Sequence, residues 1–417
     1  MRKKILVKGP VLTRSGYGEQ SRFLLRSLRS REDLFDIYIQ PIDWGKTSWL
    51  PEYDEERNWI DFRIKETIAY IQSQNPFDIS VQVTIPNEFQ VLAPINIGYT
   101  AGIETNKISH EWIQHTNQMD KVIVVSNHSK KIFETTTYEA THNQTNQPLV
   151  LKTEKPVVAV NYPVKQYQSL PEIELDLKND FNFLCVAQMG PRKNIFNTIQ
   201  WFVQEFHDDE VGLVLKTNKA RNCLIDREYI FQDLVGFLNT KFPDRKCSVY
   251  LLHGDMTDEE MHSLYNHSNI SAFVCLSHGE GFGLPFFEAA YTGIPVVAPG
   301  YSGQNDFLFG ETGKENFYNV SFDMAPIPEE VVWDKILIKD SMWAVPREQS
   351  AKEMMRQCYE DVQNNTGIAA NSIQYSTELR ERFNAEKMYA QMVDAIVDKE
   401  SVEKMQADID QLLEDLL

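Results

Sequence analysis

The sequence predicts an α/β protein made of two doubly wound domains, and three observations carry that prediction. The chain has 417 residues, 42% of them hydrophobic, which suits two domains of about 150–200 residues, each with its own core. Short β-like runs at 5–7, 35–40, 79–83, 95–99, 121–125 and 157–160 alternate with helix-like stretches, notably 57–73 and 126–134. The second half repeats the alternation, with runs at 183–187, 212–216, 248–252, 270–276 and 295–298. Alternation of this kind favours a parallel sheet covered by helices on both faces. Two such units fit it better than one large sheet.

The junction is expected within 161–178, where Tyr162-Pro163 ends a strand and Pro171-Glu172 opens a polar stretch. This gives an N-terminal domain over 1–168, a C-terminal domain over 169–386, and a helical, acidic tail over 387–417. In the tail, Val402, Met405, Ile409, Leu412 and Leu416 form one apolar seam about two heptads long. Such a seam docks on its own protein or pairs weakly with a second copy. The Asn-, Gln- and Thr-rich stretch 141–147 reads as an exposed loop.

The most informative segment is Ser277-His278-Gly279-Glu280-Gly281-Phe282-Gly283-Leu284-Pro285-Phe286-Phe287-Glu288. An apolar run precedes it and a small-residue stop, Tyr291-Thr292-Gly293, follows. The order reads as strand, tight loop, helix, then a second strand. Glycines let backbone approach a ligand, and the free N–H groups of a new helix favour an anion. Glu280 then projects from the loop and Glu288 from the helix, so both can face one ligand. As a bland alternative they are a loop acid and a helix acid beside a helix dipole.

Two further segments belong to the same argument. Residues 181–188 read as a buried strand, Met189-Gly190-Pro191 as a turn, and Arg192-Lys193-Asn194 as the opening of a helix through Ile195, Ile199 and Phe202. Two cations at a strand-to-helix turn suit a diphosphate, since both make charge-assisted bonds to phosphate. At the N-terminus, a short strand leads into the loop Gly9–Gly18 with Gly16 and Gly18, followed by a helix expected over 19–28.

Together these segments resemble retaining, nucleotide-sugar-dependent glycosyltransferases of the GT-B fold, the group 1 or family 4 class. The resemblance is strongest over 180–320 and weak in the N-terminal domain. It implies two Rossmann-like doubly wound domains facing a central cleft, with the donor held mainly by the second and the acceptor by the first. It implies that Glu280 contacts the transferred sugar and Glu288 the ribose hydroxyls. Lys193 and Arg192 would take the pyrophosphate, with Gly281, Phe282, Gly283, Leu284, Gly16 and Gly18 lining the donor. The 302–306 loop would lie near the donor sugar. The family often carries Arg near the position of Gln188; here Arg192 is the nearby Arg. The leaving phosphate would assist deprotonation of the acceptor on the front face. The acceptor would be a glycan or glycoconjugate.

Several classes are disfavoured. A net charge of −19 opposes binding to nucleic acid or to an anionic membrane by general electrostatics. Arg22, Arg26, Arg29 and Arg31 form a local basic stretch that reads as a solvated helix face rather than a lipid site. No apolar run of about twenty residues is present and residues 5–7 are too short for a signal sequence, so a cytoplasmic, at most peripheral, protein is expected. The five cysteines lack metal or redox spacing; Cys185 and Cys275 read as core thiols. The one Asp-x-Asp, Asp408-Ile409-Asp410, sits in the tail rather than a loop, so neither metal nor cofactor is expected beyond the nucleotide sugar as co-substrate. His253 stands at a strand's carboxyl end, as a neighbour of a nucleotide base or as a loop residue. Glu104 follows the 95–99 strand without an assigned role. A sugar phosphorylase or epimerase, a non-catalytic nucleotide-sugar-binding scaffold and a nucleic-acid-glycosylating enzyme are the alternatives.

Overall fold

A computed structural model describes residues 2–397, apart from 46, 52 and 142–146. The tail seam 402–416, Asp408-Ile409-Asp410 and most of the 141–147 stretch lie outside the described residues. The chain divides into two compact units. The first comprises Met1–Pro163, Val332–Ile338 and Phe383–Leu417; the second comprises Val164–Val331 and Lys339–Arg382.

The first unit begins with β1 (Lys3–Gly9), α1 (Gly16–Arg29), β2 (Phe35–Pro41), α2 (Glu55–Gln72), β3 (Ile79–Val83) and β4 (Ile95–Thr100). It continues through α3 (His110–Thr116), β5 (Lys121–Val124), α4 (Asn127–Thr135), a hairpin of β6 (Thr137–Thr141) and β7 (Pro148–Lys152), and β8 (Val157–Ala159). The main sheet is parallel in the order β2-β1-β3-β4-β5-β8. Its central strands are apolar on both faces because helices cover both: Ile5, Val7, Val81 and Ile123 are wholly buried. Α-helical caps are set locally; Ser15, for example, accepts from Gly18 N at 2.9 Å and starts α1 at Gly16, three residues before the expected start. Val332–Ile338 adds Ile336 and Leu337 to a core built around Ile108, Trp112 and Phe133. There the Lys335 carbonyl accepts from Ser109 Oγ at 2.6 Å.

The second unit runs β9 (Asn182–Val186), α5 (Ile195–Glu205), β10 (Gly212–Lys216), α6 (Leu224–Lys241), β11 (Ser248–Leu252), α7 (Asp258–Tyr265), β12 (Ile270–Val274) and α8 (Leu284–Thr292). Then come β13 (Val296–Pro299), α9 (Asn305–Leu308), β14 (Tyr318–Val320), an antiparallel hairpin of β15 (Phe322–Pro326) and β16 (Met342–Pro346), α10 (Glu348–Asn364) and α11 (Ser372–Arg382). The order of its parallel sheet is β11-β10-β9-β12-β13-β14. The final helix, α12 (Ala385–Ile396), returns to the first unit. There it packs on α1, with the Tyr389 ring 6.1 Å from that of Phe23 and the Ala395 carbonyl accepting from Lys121 Nζ at 2.8 Å.

In each sheet the strand order reverses direction once near the middle, between β1 and β3 in the first and between β9 and β12 in the second. Loops leaving the carboxyl ends of strands on either side of such a point open a crevice between them. That rule brings together two segments about ninety residues apart: the loop after β9, with Arg192 and Lys193, and the loop after β12, with Glu280.

Candidate active site

Glu280 is 5% exposed and sits between two cations. Its Oε1 accepts from Lys193 Nζ at 2.6 Å, and its Oε2 lies 3.1 Å from Arg192 Nη1. The same Arg192 nitrogen donates to the Gly279 carbonyl at 2.6 Å. Burial alone would raise the Glu280 pKa. The charges of Lys193 and then Arg192, with their hydrogen bonds, outweigh it and hold the group at about 2. The carboxylate is therefore ionised at neutral pH, and the trio carries one net positive charge. Side chains of Arg192 and Lys193 remain 27% and 16% exposed, so that charge borders solvent.

The backbone on both sides is fixed by long-range partners. The two cations stand on a short 3₁₀ turn, Pro191–Lys193, not on the α-helix that the sequence suggested. Asn194 separates turn and helix in a left-handed conformation, φ 53°, which Asn tolerates better than most residues. Its Nδ2 donates to the Leu276 carbonyl at 3.0 Å, tying the β9 loop to the β12 loop. His278 N donates to the Arg192 carbonyl at 2.9 Å, making a second tie. The His278 ring stacks on Trp343 of β16, centroids 4.5 Å apart, and its Nδ1 donates to the Ala344 carbonyl at 2.7 Å. Burial, then the nearby Arg192 charge, lowers the His278 pKa, so the imidazole is neutral at pH 7.

The loop after β13 closes the other side. Ser302 Oγ accepts from Glu280 N at 2.8 Å and donates to Gln304 Oε1 at 3.0 Å. Gly303 N donates to the Glu280 carbonyl at 2.9 Å. The approach is so close that a Cβ on Gly303 would stand 2.0 Å from the Gly281 carbonyl oxygen. Gly283 is the N-cap of α8 with φ 95°, a conformation that glycine adopts without strain. Leu284, half-buried, is the first residue of that helix. The Phe282 ring is 4% exposed and packs on Phe287 and Phe307, so this side chain belongs to the core. Glu288 lies on α8 beside Tyr265 and Tyr291. Burial first, and then its charge, pushes both phenols up.

Other expected residues fall elsewhere. His253 Nε2 pairs with Asp226 Oδ2 at 3.0 Å, and Asp226 also accepts from the backbone of Lys219 and Ala220. Gly16 opens α1 and is exposed, while Gly18 is buried one turn into the cap. The basic stretch is not a solvated face. Arg22 is 7% exposed and donates to the carbonyls of Val11 and Thr13. Glu19 joins Arg22 at 3.2 Å and Arg26 at 2.9 Å, and Arg26 grips Glu56 at 2.7 Å. Arg29 pairs with Glu55 and Arg31 with Asp33. The sequence placed Asn194 in a helix opening and Ser302 in the 302–306 loop without foreseeing what either holds, and it did not single out Trp343; each meets a partner distant in the chain.

Among the described residues, no group of three or more His, Cys, Asp or Glu is placed to hold a metal ion, and no helix is long and apolar enough to cross a membrane. Cys185 and Cys275 are buried free thiols, as expected of core residues.

Residues 246–309, which contain both Glu280 and Glu288, match the family model described as glycosyl transferases group 1. The architecture, two parallel-sheet Rossmann-like units, is that of the GT-B class. Among solved structures, sucrose-phosphate synthase from Thermosynechococcus elongatus is similar at 14% identity and a TM-score of 0.59, over 94% of this chain and 98% of that one. A glycosyltransferase from Rickettsia africae is similar at 14% identity and 0.58, over 95% and 99%. Anabaena HepE in complex with UDP and glucose is similar at 14% identity and 0.56, over 94% and 99%. No curated protein matches the sequence.

Proposed function

We propose that this chain is a glycosyltransferase that takes a sugar from a nucleotide-diphosphate donor. The carrying observation is the buried Glu280 carboxylate gripping Arg192 and Lys193 at the β9/β12 crevice, inside a loop that matches group 1 glycosyltransferases. Departure of a nucleoside diphosphate places negative charge on its terminal phosphate. A preorganised pair of cations with one net positive charge, held in a partly desolvated crevice, stabilises that charge as it develops. Glu280 sets the spacing of the two cations and faces the transferred sugar. Glu288 on the following helix accepts from the ribose hydroxyls. With the cations supplying the positive charge, transfer needs no metal ion. Front-face attack, with the leaving phosphate receiving the acceptor proton, gives retention at the anomeric carbon. The UDP bound by Anabaena HepE makes a uridine nucleotide the first donor to test.

Thermal-shift titration with UDP-, GDP- and ADP-sugars, each with and without EDTA, tests this reading. One donor class should raise the melting temperature equally in both conditions. Failure of every donor, or a shift that EDTA abolishes and manganese restores, would overturn the donor assignment or its metal independence respectively.

A further inference from the structure

The hairpin β15–β16 is a sheet of two strands, so β16 has an outer edge with no strand beside it. Residue 278 lies against that edge. Ala344 stands opposite Met324 of β15, yet its backbone groups turn the other way. Its N donates to the His278 carbonyl at 3.1 Å, and its carbonyl accepts from His278 Nδ1 at 2.7 Å. A carbonyl partner requires the proton on Nδ1, which fixes the tautomer of the imidazole. The ring lies nearly parallel to the indole of Trp343, at 14°, and Trp343 is 2% exposed. Two hydrogen bonds and one stacked face thus seat residue 278 on β16. Its backbone N–H points to the other partner, the Arg192 carbonyl, at 2.9 Å. The next residue, Gly279, offers its carbonyl to Arg192 Nη1 at 2.6 Å. The turn that carries Arg192 and Lys193 therefore rests on β16 through residue 278.

We propose that His278 and Trp343 are positioning residues for sugar transfer: seated on β16, they set where the Arg192 turn stands, and so where its two cations meet the departing phosphate. Stabilising a developing charge depends on place, and a misplacement of about 1 Å can cost about a hundredfold in rate. Arg192 and Lys193 are long side chains whose aim follows the backbone beneath them. Their 3₁₀ turn is closed by two bonds, Lys193 N to the Gly190 carbonyl and Asn194 N to the Pro191 carbonyl, a short run with little stiffness of its own. Core filling does not call for this pair. An apolar side chain at 278 would cover the indole equally well, but it would leave the Ala344 carbonyl without its donor. The strand β16 also lies outside residues 246–309, so the matched motif does not contain its own support. The role in transfer rests on the glycosyltransferase reading; the seating of the turn does not.

Two measurements on the full-length protein test the proposal. Hydrogen exchange reads the turn directly: His278→Ala should speed exchange of the 190–194 amides several-fold and leave α10 unchanged. Should that variant fold poorly, Trp343→Phe, which keeps a smaller ring over the imidazole, should give the same pattern more weakly. Steady-state kinetics reads the consequence. His278→Ala should lower kcat by between about tenfold and a hundredfold while donor KM moves less than about twofold, and His278→Asn, which keeps a donor for the Ala344 carbonyl, should recover most of the loss. In an Arg192→Ala background, His278→Ala should cost nothing further, whereas a merely structural role would add its full loss. Unchanged exchange at 190–194, or additive losses in that cycle, would overturn the proposal. A wild-type protein that turns over no nucleotide sugar would sink the glycosyltransferase reading instead, and the exchange pattern would still decide whether residue 278 holds the turn.

Discussion

Each unit contains a glutamate held by two cations near the reversal point of its sheet, and the two trios differ in what surrounds them. In the first unit Glu19 binds Arg22 and Arg26, and Arg26 also grips Glu56, so two acids balance two bases. Arg22 spends its remaining donors on the Val11 and Thr13 carbonyls. In the second unit Glu280 faces Arg192 and Lys193, one acid against two bases, at the edge of solvent. The balanced trio locks a loop to a helix. A glutamate between two cations thus occurs in both units, with Glu56 as a second acid in the first and no second acid among these ion pairs in the other.

The comparison can be broken in three ways. The largest effect should come from Glu19→Ala. It strands a buried arginine, a loss of about 3–5 kcal/mol in unfolding free energy by chemical denaturation. A loss under about 1 kcal/mol, typical of surface pairs, would mean that the first trio is no keystone. Next, Lys193→Ala should raise the transfer barrier by about 2–4 kcal/mol, read from single-turnover kinetics, as expected on losing one preorganised charge stabiliser. Wild-type turnover would remove Lys193 from the mechanism. The smallest effect should be that of Glu288→Gln, which weakens nucleoside diphosphate binding by about 1.5–3 kcal/mol through loss of charge-assisted bonds. Calorimetry finding unchanged affinity would refute the ribose contact.

The contrast between trios also marks what the sequence made legible. Strands were readable almost to the residue: Gly212–Lys216 is an apolar run buried inside its sheet, while Ile79–Val83 and Ser248–Leu252 show as short stretches rich in β-branched, aromatic and aliphatic residues. Glu280 and Lys193 stood out because loop glycines and adjacent cations are local patterns. Arg22 was misread as solvated, since its burial depends on carbonyls nine and eleven residues away rather than on its own helix periodicity. The 3₁₀ turn of Pro191–Lys193 was hidden for a similar reason: proline and two polar residues suit a helix start, and the left-handed Asn194 that ends the turn is tied, with Arg192, to the distant 276–278 segment. The place of Val332–Ile338 in the first unit's core has no local signature at all.

The contact between Gly303 and the Gly281 carbonyl has a consequence for inheritance and engineering. With no room for even a methyl group, neither loop can change its path unless the other changes with it. Segments 279–283 and 300–304 should drift as one unit among relatives. A graft that moves the acidic loop into another scaffold must carry the 300–304 loop along, or the transplanted glutamate will arrive without the backbone that aims it.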